Sequence, residues 1–537
     1  MPGRPVFRRN IIRGQFSDWR HILREHIGNR CRQEWGGALH EGETALSAAS
    51  SSSGIGNRAC IPLAWAGVVT ALIVWAVFPG FMSYDSLHAL REARTAVQGG
   101  PYPPFVSYVW RVVDALWPGP TLMLAVQNFL LIAAIGSLCR SFGYRTLGTL
   151  VGMTFFVAMP AILGPMLVVW KDVAVSACFS AACALLCVAQ RATTANGRRA
   201  ALSIALAAIF GGMAYRFNAV AGALPLLIWW VAVLRHQATP GRQAFVVRAT
   251  GGAALTAVLF AGVTLINSYE LPGLRPLMPN PSFHAVRVYD LLGMSAIERR
   301  SVVPLTVLPG HPELLGEYAA RIYSPAHINR AMDADRDGVY RSLFSVDPKL
   351  ISIAWREAVT SHPRAYLTHR WLGFEMLIGL HSGAVFYPTH PWVDPNEFGI
   401  VHVPSRATPH LLDYMRESCQ EISCTTLLCR PWVWYLAGGV ATLFCVLLGR
   451  EPVRRATMAI FVSGAAYLAP QFVIDPAADL RYNHWAIVAM AICCLAAVRL
   501  FVGRVRPDRL DVDLGTPAPA AVNDLALVGS TLAPRQE

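Results

Sequence analysis

FPGFMSYDSLHALREARTAVQGGPYPP, Phe78–Pro104, follows the first long apolar run of the chain. It places Tyr84-Asp85-Ser86 a few residues past the point where that run should leave the lipid. A carboxylate at the mouth of a membrane helix costs free energy unless water or a polar cavity receives it, which makes Asp85 a functional candidate. Leu87 to Val97 has helical spacing with Ser86 as its cap. Pro101, Pro103 and Pro104 stop that helix and open a second amphipathic one, Phe105 to Leu116. Two such helices lie flat at an interface. The plain alternative makes Asp85 a first-turn acid favoured by the helix dipole, and for the residue taken alone it is the better one.

The 537 residues are 54% hydrophobic and 15% charged, against about 25% charged in soluble domains. With repeated apolar runs of near-spanning length, this predicts an all-α polytopic membrane protein. Ten runs qualify: Ile61–Pro79, Thr121–Leu138, Leu147–Leu163, Val168–Ala189, Ala200–Ala214, Ala219–Leu234, Ala249–Ile266, Trp432–Leu448, Ala456–Val473 and Trp485–Val502. With the N-terminus inside, every even-numbered run ends in arginine on the cytoplasmic side: Arg140 with Arg145, Arg191 with Arg198 and Arg199, Arg235 with Arg242 and Arg248, Arg450 with Arg454 and Arg455, Arg499 with Arg504 and Arg506. The net charge of +13 is therefore membrane anchoring. It is not a surface for nucleic acid, and that class is excluded.

The same count gives the domain plan. Residues 1–59 hold nine arginines and a Ser-rich stretch without an apolar core, and read as a cytoplasmic, mostly disordered leader with a short surface helix near Ser17 to His26. Residues 60–266 carry spans one to seven, with a first outer loop at 80–120. Residues 267–430 are too long for a loop and predict a partly helical extracytoplasmic domain. Within it Leu367–Leu380 reads as an interfacial or re-entrant helix, with a further span as the alternative. Residues 431–503 carry spans eight to ten, and 504–537 form a Pro/Ala-rich disordered tail.

Three outer cations stand against the inside bias. Lys171, in a tight turn Trp170-Lys171-Asp172, is one of two lysines in the chain, and a compact ammonium there competes with a plain Lys171–Asp172 pair or snorkelling as its explanation. Arg216 and Arg481 lie between closely spaced spans and need an anion, either Asp172, Asp475, Asp479 or a phosphate. An ordinary outer salt bridge is the competing reading for each.

An Asp soon after the first span, a short helix, the pair Pro103-Pro104, a second helix and a Gln-bearing span (Gln127) together resemble GT-C fold membrane glycosyltransferases. The resemblance extends to bacterial members, of the mannosyltransferase and aminoarabinose-transferase-like group, with a Lys-Asp pair opening a later span and an Arg-Tyr pair before the last: here Lys171-Asp172 and Arg481-Tyr482. Many of those members carry His before the proline pair, where this chain has Tyr102. The resemblance implies transfer of a sugar from a polyprenyl-phosphate donor to a lipid, glycan or protein acceptor, on the outer face of a bacterial inner membrane with both termini cytoplasmic. Asp85 would be the general base, and Lys171, Arg216 and Arg481 would hold the departing phosphate. Tyr84, Tyr102, Asp172 and Tyr482 would support them, and Glu92, one helical face from Asp85, would play a lesser part. A phosphate leaves readily, so no cofactor and no metal is called for. A transporter or lipid flippase, or a non-catalytic envelope scaffold, are the competing classes.

Asp333-Ala-Asp335-Arg-Asp337-Gly338 opens like a calcium loop, but Phe344 stands where the bidentate Glu should be, and an acidic turn is the better reading. Cys419, Cys424 and Cys429 lie on the oxidising side, where a disulfide can form. His362, His381 and His390 have no metal-ligand spacing and read as scattered domain histidines.

Overall fold

The computed structural model describes residues 46–95, 102–235, 242–268, 281–304, 307, 314–380, 388–419 and 427–505. The leader helix near Ser17 to His26, the tail beyond Val505, and Val97, Pro101, His381 and Cys424 lie outside the described residues. The chain divides into two units, 1–61 and 62–537. Of the first, residues 46–61 are described and helical.

In chain order the helices are α1 (Leu46–Ala76), α2 (Tyr84–Thr95), α3 (Phe105–Leu116), α4 (Thr121–Ser141), α5 (Thr146–Ala158), α6 (Pro160–Met166), α7 (Lys171–Arg191), α8 (Ala195–Tyr215), α9 (Ala219–Leu234) and α10 (Arg242–Ser268). Then come α11 (Pro281–Glu298), α12 (Leu314–Ile322), α13 (Ile328–Ala334), α14 (Val339–Ser342), α15 (Pro348–Ser361), α16 (Pro363–Leu377) and α17 (Thr408–Cys419). Last are α18 (Pro431–Leu448), α19 (Glu451–Leu468), α20 (Gln471–Ile474) and α21 (His484–Val505). The protein is all-α and multi-pass: among the described residues six helices are long and apolar enough to cross a membrane, or seven if α5 and α6 count as one bent span. Sequence periodicity predicts ten. The difference is length: the apolar stretches Cys60–Ala76 and Ala219–Leu234 are shorter helices, and α8 opens on the polar Asn196-Gly197-Arg198-Arg199.

Helix α7 is the centre of the bundle, packed by α4, α8, α9, α19 and α21. Without a hydrophobic drive between helices in lipid, close approach of backbones supplies the contact. Gly252 of α10 shows this: a Cβ there would lie 2.9 Å from the Ile228 Cα of α9.

The break at α5–α6 positions the site. The two helices meet at 75°, where Pro160 opens α6 without the N–H that α5 would need in order to continue. The chain then runs extended through Val168–Trp170, so α7 starts at Lys171, not at Val168, and there is no tight turn at Trp170–Asp172. Irregular backbone at this depth must be satisfied from inside the protein. Gln127 and Asn128 donate to the Val168 and Met166 carbonyls, each at 2.9 Å. Phe81 bridges Val168 in parallel, and Met82 bridges Val393 in parallel. Three extended pieces, 81–82, 168–169 and 392–394, thus lie side by side across more than 300 residues of chain.

The long segment after α10 has two allegiances. Helices α11 to α16 enclose their own core, with Val288, Leu292, Tyr340, Leu343, Ile351 and Ala354 buried. The later part, with Val393, Ile400, Leu411 and Met415, packs on the bundle core instead. Helix α16 is where an interfacial helix is predicted, yet its His369 and Arg370 are buried within the lobe. Both engage the fully buried Asp290, at 3.1 and 2.7 Å, and Trp355 Nε1 donates to the same carboxylate at 2.7 Å. Arg370 also donates to the Asp475 carbonyl at 3.0 Å, and Ile328 N–H to that of Pro476 at 2.9 Å, which ties the lobe to the turn before α21.

Candidate functional site

Helix α2 begins at Tyr84, one turn earlier than a Ser86 cap would place it, and Ser86 Oγ donates to the Val169 carbonyl at 2.8 Å. Asp85 therefore sits in the first turn of a short helix stitched to the extended strand before Lys171. Arg481 comes from the 3-10 turn Leu480–Asn483, whose start Asp479 caps through the Arg481 N–H. Its Nη1 lies 2.7 Å from Asp85 Oδ2, and its Nε 2.7 Å from Asp479. Lys171 Nζ is 4.0 Å from the same Asp85 oxygen and 3.8 Å from the centre of the Tyr102 ring. Tyr102 donates its phenol proton to Asp85 Oδ1. The guanidinium of Arg481 lies over Trp170 at 4.8 Å and over Tyr482 at 5.1 Å.

Burial alone would raise the Asp85 carboxyl, but Arg481, Lys171 and the Tyr102 hydrogen bond outweigh it and hold the group well below the usual carboxylate range. The Tyr102 phenol is pushed well up by burial and by the neighbouring carboxylate.

Asp85 stands on a boundary. On one side is a narrow crevice of about 20 Å³ with apolar walls from Ala89, Val106, Trp110 and Met123. On the other is a cleft of about 370 Å³ where Ser83, Tyr84, Asp85 and Arg481 meet residues of α13 and of the 389–394 stretch. Asp85, Trp170 and Arg481 line both.

The sequence-predicted residues fall into three groups. Asp85, Lys171, Arg481 and Tyr102 come together around one point, and Tyr84 lies at the mouth of the cleft. Asp172, Arg216 and Tyr482 form a layer behind: Arg216 is ion-paired to Asp172, donates to Asn218 at 3.0 Å, and lies 4.7 Å over the Tyr482 ring. Arg216 thus lines neither cavity. Glu92 turns away, taking a 2.8 Å hydrogen bond from Ser107 and lying 3.1 Å from His88, so that it fastens α2 to α3. His327 and Trp392, which carry no role in the sequence, and His390, expected as a scattered histidine, all line the cleft. Their only sequence signal is local polarity, because backbone pairing between distant segments brings them there.

Among the described residues no group of His, Cys, Asp or Glu has metal-binding geometry. The Asp335 carboxylate of the calcium-like stretch is taken up by the Tyr318 hydroxyl at 2.6 Å and by the Tyr340 and Arg341 N–H groups at 3.2 and 2.8 Å, which makes it the organiser of an acidic turn. Cys429 is disulfide-bonded; the side chains of Cys419 and Cys424 lie outside the described residues.

Comparison with protein-family models, with curated proteins and with solved structures finds no match for this chain.

Proposed function

We propose that this protein is a membrane glycosyltransferase of the GT-C type, moving a sugar from a polyprenyl-phosphate carrier to an acceptor on the outer face of the membrane. The observation that carries the reading is the triad of Asp85, Arg481 at 2.7 Å and Lys171 at 4.0 Å, set between an apolar crevice and a polar cleft. A carboxylate held by two cations at that boundary matches what a lipid phosphate and a hydroxyl acceptor require of a protein. The ten-span topology with cytoplasmic termini belongs to the same proposal.

The chemistry follows from the charges. The donor phosphate enters beside Lys171 and Arg481 and draws both cations toward itself. Asp85, relieved of part of its counter-charge, becomes a stronger base. It takes the proton of the acceptor hydroxyl as that oxygen bonds to the anomeric carbon from the face opposite the phosphate. The bond from that carbon to the phosphate oxygen breaks, and its electron pair leaves on the polyprenyl monophosphate, which the two cations stabilise. The sugar is delivered with inverted configuration. Arg216 and Asp172 keep Tyr482 under Arg481 and act by positioning.

A transporter or flippase is favoured by one feature, the bent α5–α6 pair with its extended continuation, since broken helices carry substrate sites in many transporters. Cells expressing the wild type and D85N separate the two readings by mass spectrometry of envelope lipids and glycans. The proposal expects a glycan or lipid heavier by one sugar with the wild type and its loss with D85N at equal membrane level. Equal product with both variants would remove Asp85 from the chemistry.

A further inference from the structure

The outer cleft has a composition of its own. Its exposed surfaces include two aromatic rings, Trp392 and Tyr84, 51% and 63% exposed. Around them stand groups that handle hydroxyls. The Asn329 N–H donates to His327 Nδ1 at 2.9 Å, so the neutral ring carries its proton on Nε2. His390 Nε2 lies 3.0 Å from Asp394 Oδ1, an acceptor, which leaves the His390 Nδ1 of a neutral ring free to accept. Trp392 Nε1 donates to the same carboxylate oxygen at 2.7 Å, fixing the indole plane. Burial, with Arg481 adding to it, pushes His327 down to about 4, and burial also lowers His390, so both rings are neutral near pH 7.

The charge balance narrows the ligand. Asp85, Asp333, Asp394 and Asp479 line the cleft against Arg330 and Arg481. Because Arg481 is engaged by Asp85 and Asp479, Arg330 is the cation left in the open part of the cleft against Asp333 and Asp394, and that surplus of carboxylates disfavours an anion. Exposed ring faces beside neutral donors and acceptors, with a surplus of carboxylates, suit a ligand with an apolar face and a rim of hydroxyls. A pyranose is such a ligand. A volume of about 370 Å³ falls within the roughly 300–1,000 Å³ of small-molecule sites.

We propose that the cleft between α2, α13 and the 389–394 stretch is a saccharide-binding site that holds an uncharged pyranose against Trp392. As the identity of the acceptor this rests on the glycosyltransferase reading, under which a ring hydroxyl points to Asp85; as a binding site it stands without it. It further implies that the acceptor presents an uncharged sugar to the protein, so a phosphate-bearing headgroup would be disfavoured in this cleft.

The test is saturation-transfer-difference NMR on the full chain in lipid nanodiscs, free of sugar-based detergent, with a panel of methyl hexopyranosides and with glycerol 3-phosphate as the anionic probe. We expect transfer to the ring C–H protons of at least one pyranoside, weakened about tenfold or more in affinity by W392A. W392F should retain it, as should W117A, which removes an exposed indole at the end of α3. W392A with wild-type thermal unfolding is a folded protein, so its loss of signal is read as loss of the platform. No pyranoside bound by the wild type, a signal indifferent to W392A, or preferential binding of glycerol 3-phosphate would each overturn the proposal. Farnesyl phosphate binding, measured on the same samples, keeps the two claims apart. If it binds and no pyranoside does, the cleft assignment falls and the donor reading stands; the reverse result removes the donor reading and leaves the saccharide site.

Discussion

At the scale of single residues, position relative to the lipid decided what could be read in advance. Asp85, Lys171 and Arg481 are visible in the sequence because a charge beside a membrane span has few inexpensive explanations. The Arg216–Asp172 pair has the same cause but a different outcome, since Arg216 pairs with Asp172 Oδ1 away from both cavities. Asp475 offers a test of the local electrostatics. Burial pushes its carboxyl up to about 8, while the Ala477 N–H holds one of its oxygens at 3.1 Å. A carboxyl whose folded pKa lies above its unfolded value of about 3.9 loses stability as pH rises between the two. Wild-type stability should therefore fall relative to D475N between pH 5 and about pH 8, read as the difference in thermal midpoint. A difference independent of pH would show that Asp475 is ionised in the folded protein.

At the scale of elements, the helices were legible and their junctions were not. Each of the ten apolar runs is mostly helical, because apolar length is a strong signal, but Leu147–Leu163 is divided between α5 and α6, Ala456–Val473 between α19 and α20, and Val168–Ala189 begins before α7. The extended Val168–Trp170 was not legible, as its hydrogen-bond partners lie in α4 and in Phe81, far away in sequence. Nor was the docking of the 388–394 stretch on α6. That docking depends on Gly164, where a Cβ would lie 2.3 Å from the Pro388 carbonyl oxygen and 2.7 Å from Met415. Gly164→Ala should destabilise the protein by about 1–3 kcal/mol, the usual cost of forced overpacking. Gly67→Ala, where a Cβ meets nothing within 4 Å, should not. Equal thermal midpoints for the two variants would contradict the close approach.

At the scale of the whole molecule, a membrane bundle and a helical lobe are joined by the turn before α21, and the site forms where that turn, the first loop and the break before α7 converge. The sequence supplied the charged members of that meeting point through its span count. It could not supply His327, His390 or Trp392, which arrive through backbone contacts of Ala326 with Ala478 and of Met82 with Trp392 and Asp394. On the proposed mechanism Asp85 and a lipid phosphate compete for the same two cations, with the carboxylate engaging them in the free protein. Binding of farnesyl phosphate to wild type and D85N in nanodiscs measures that competition directly. Binding should be about tenfold or more tighter in D85N, together with loss of sugar transfer, because removing the carboxylate frees Lys171 and the Arg481 Nη1, while Asp479 keeps its hold on Nε, and lifts a like-charge repulsion. Equal or weaker binding by D85N would contradict it.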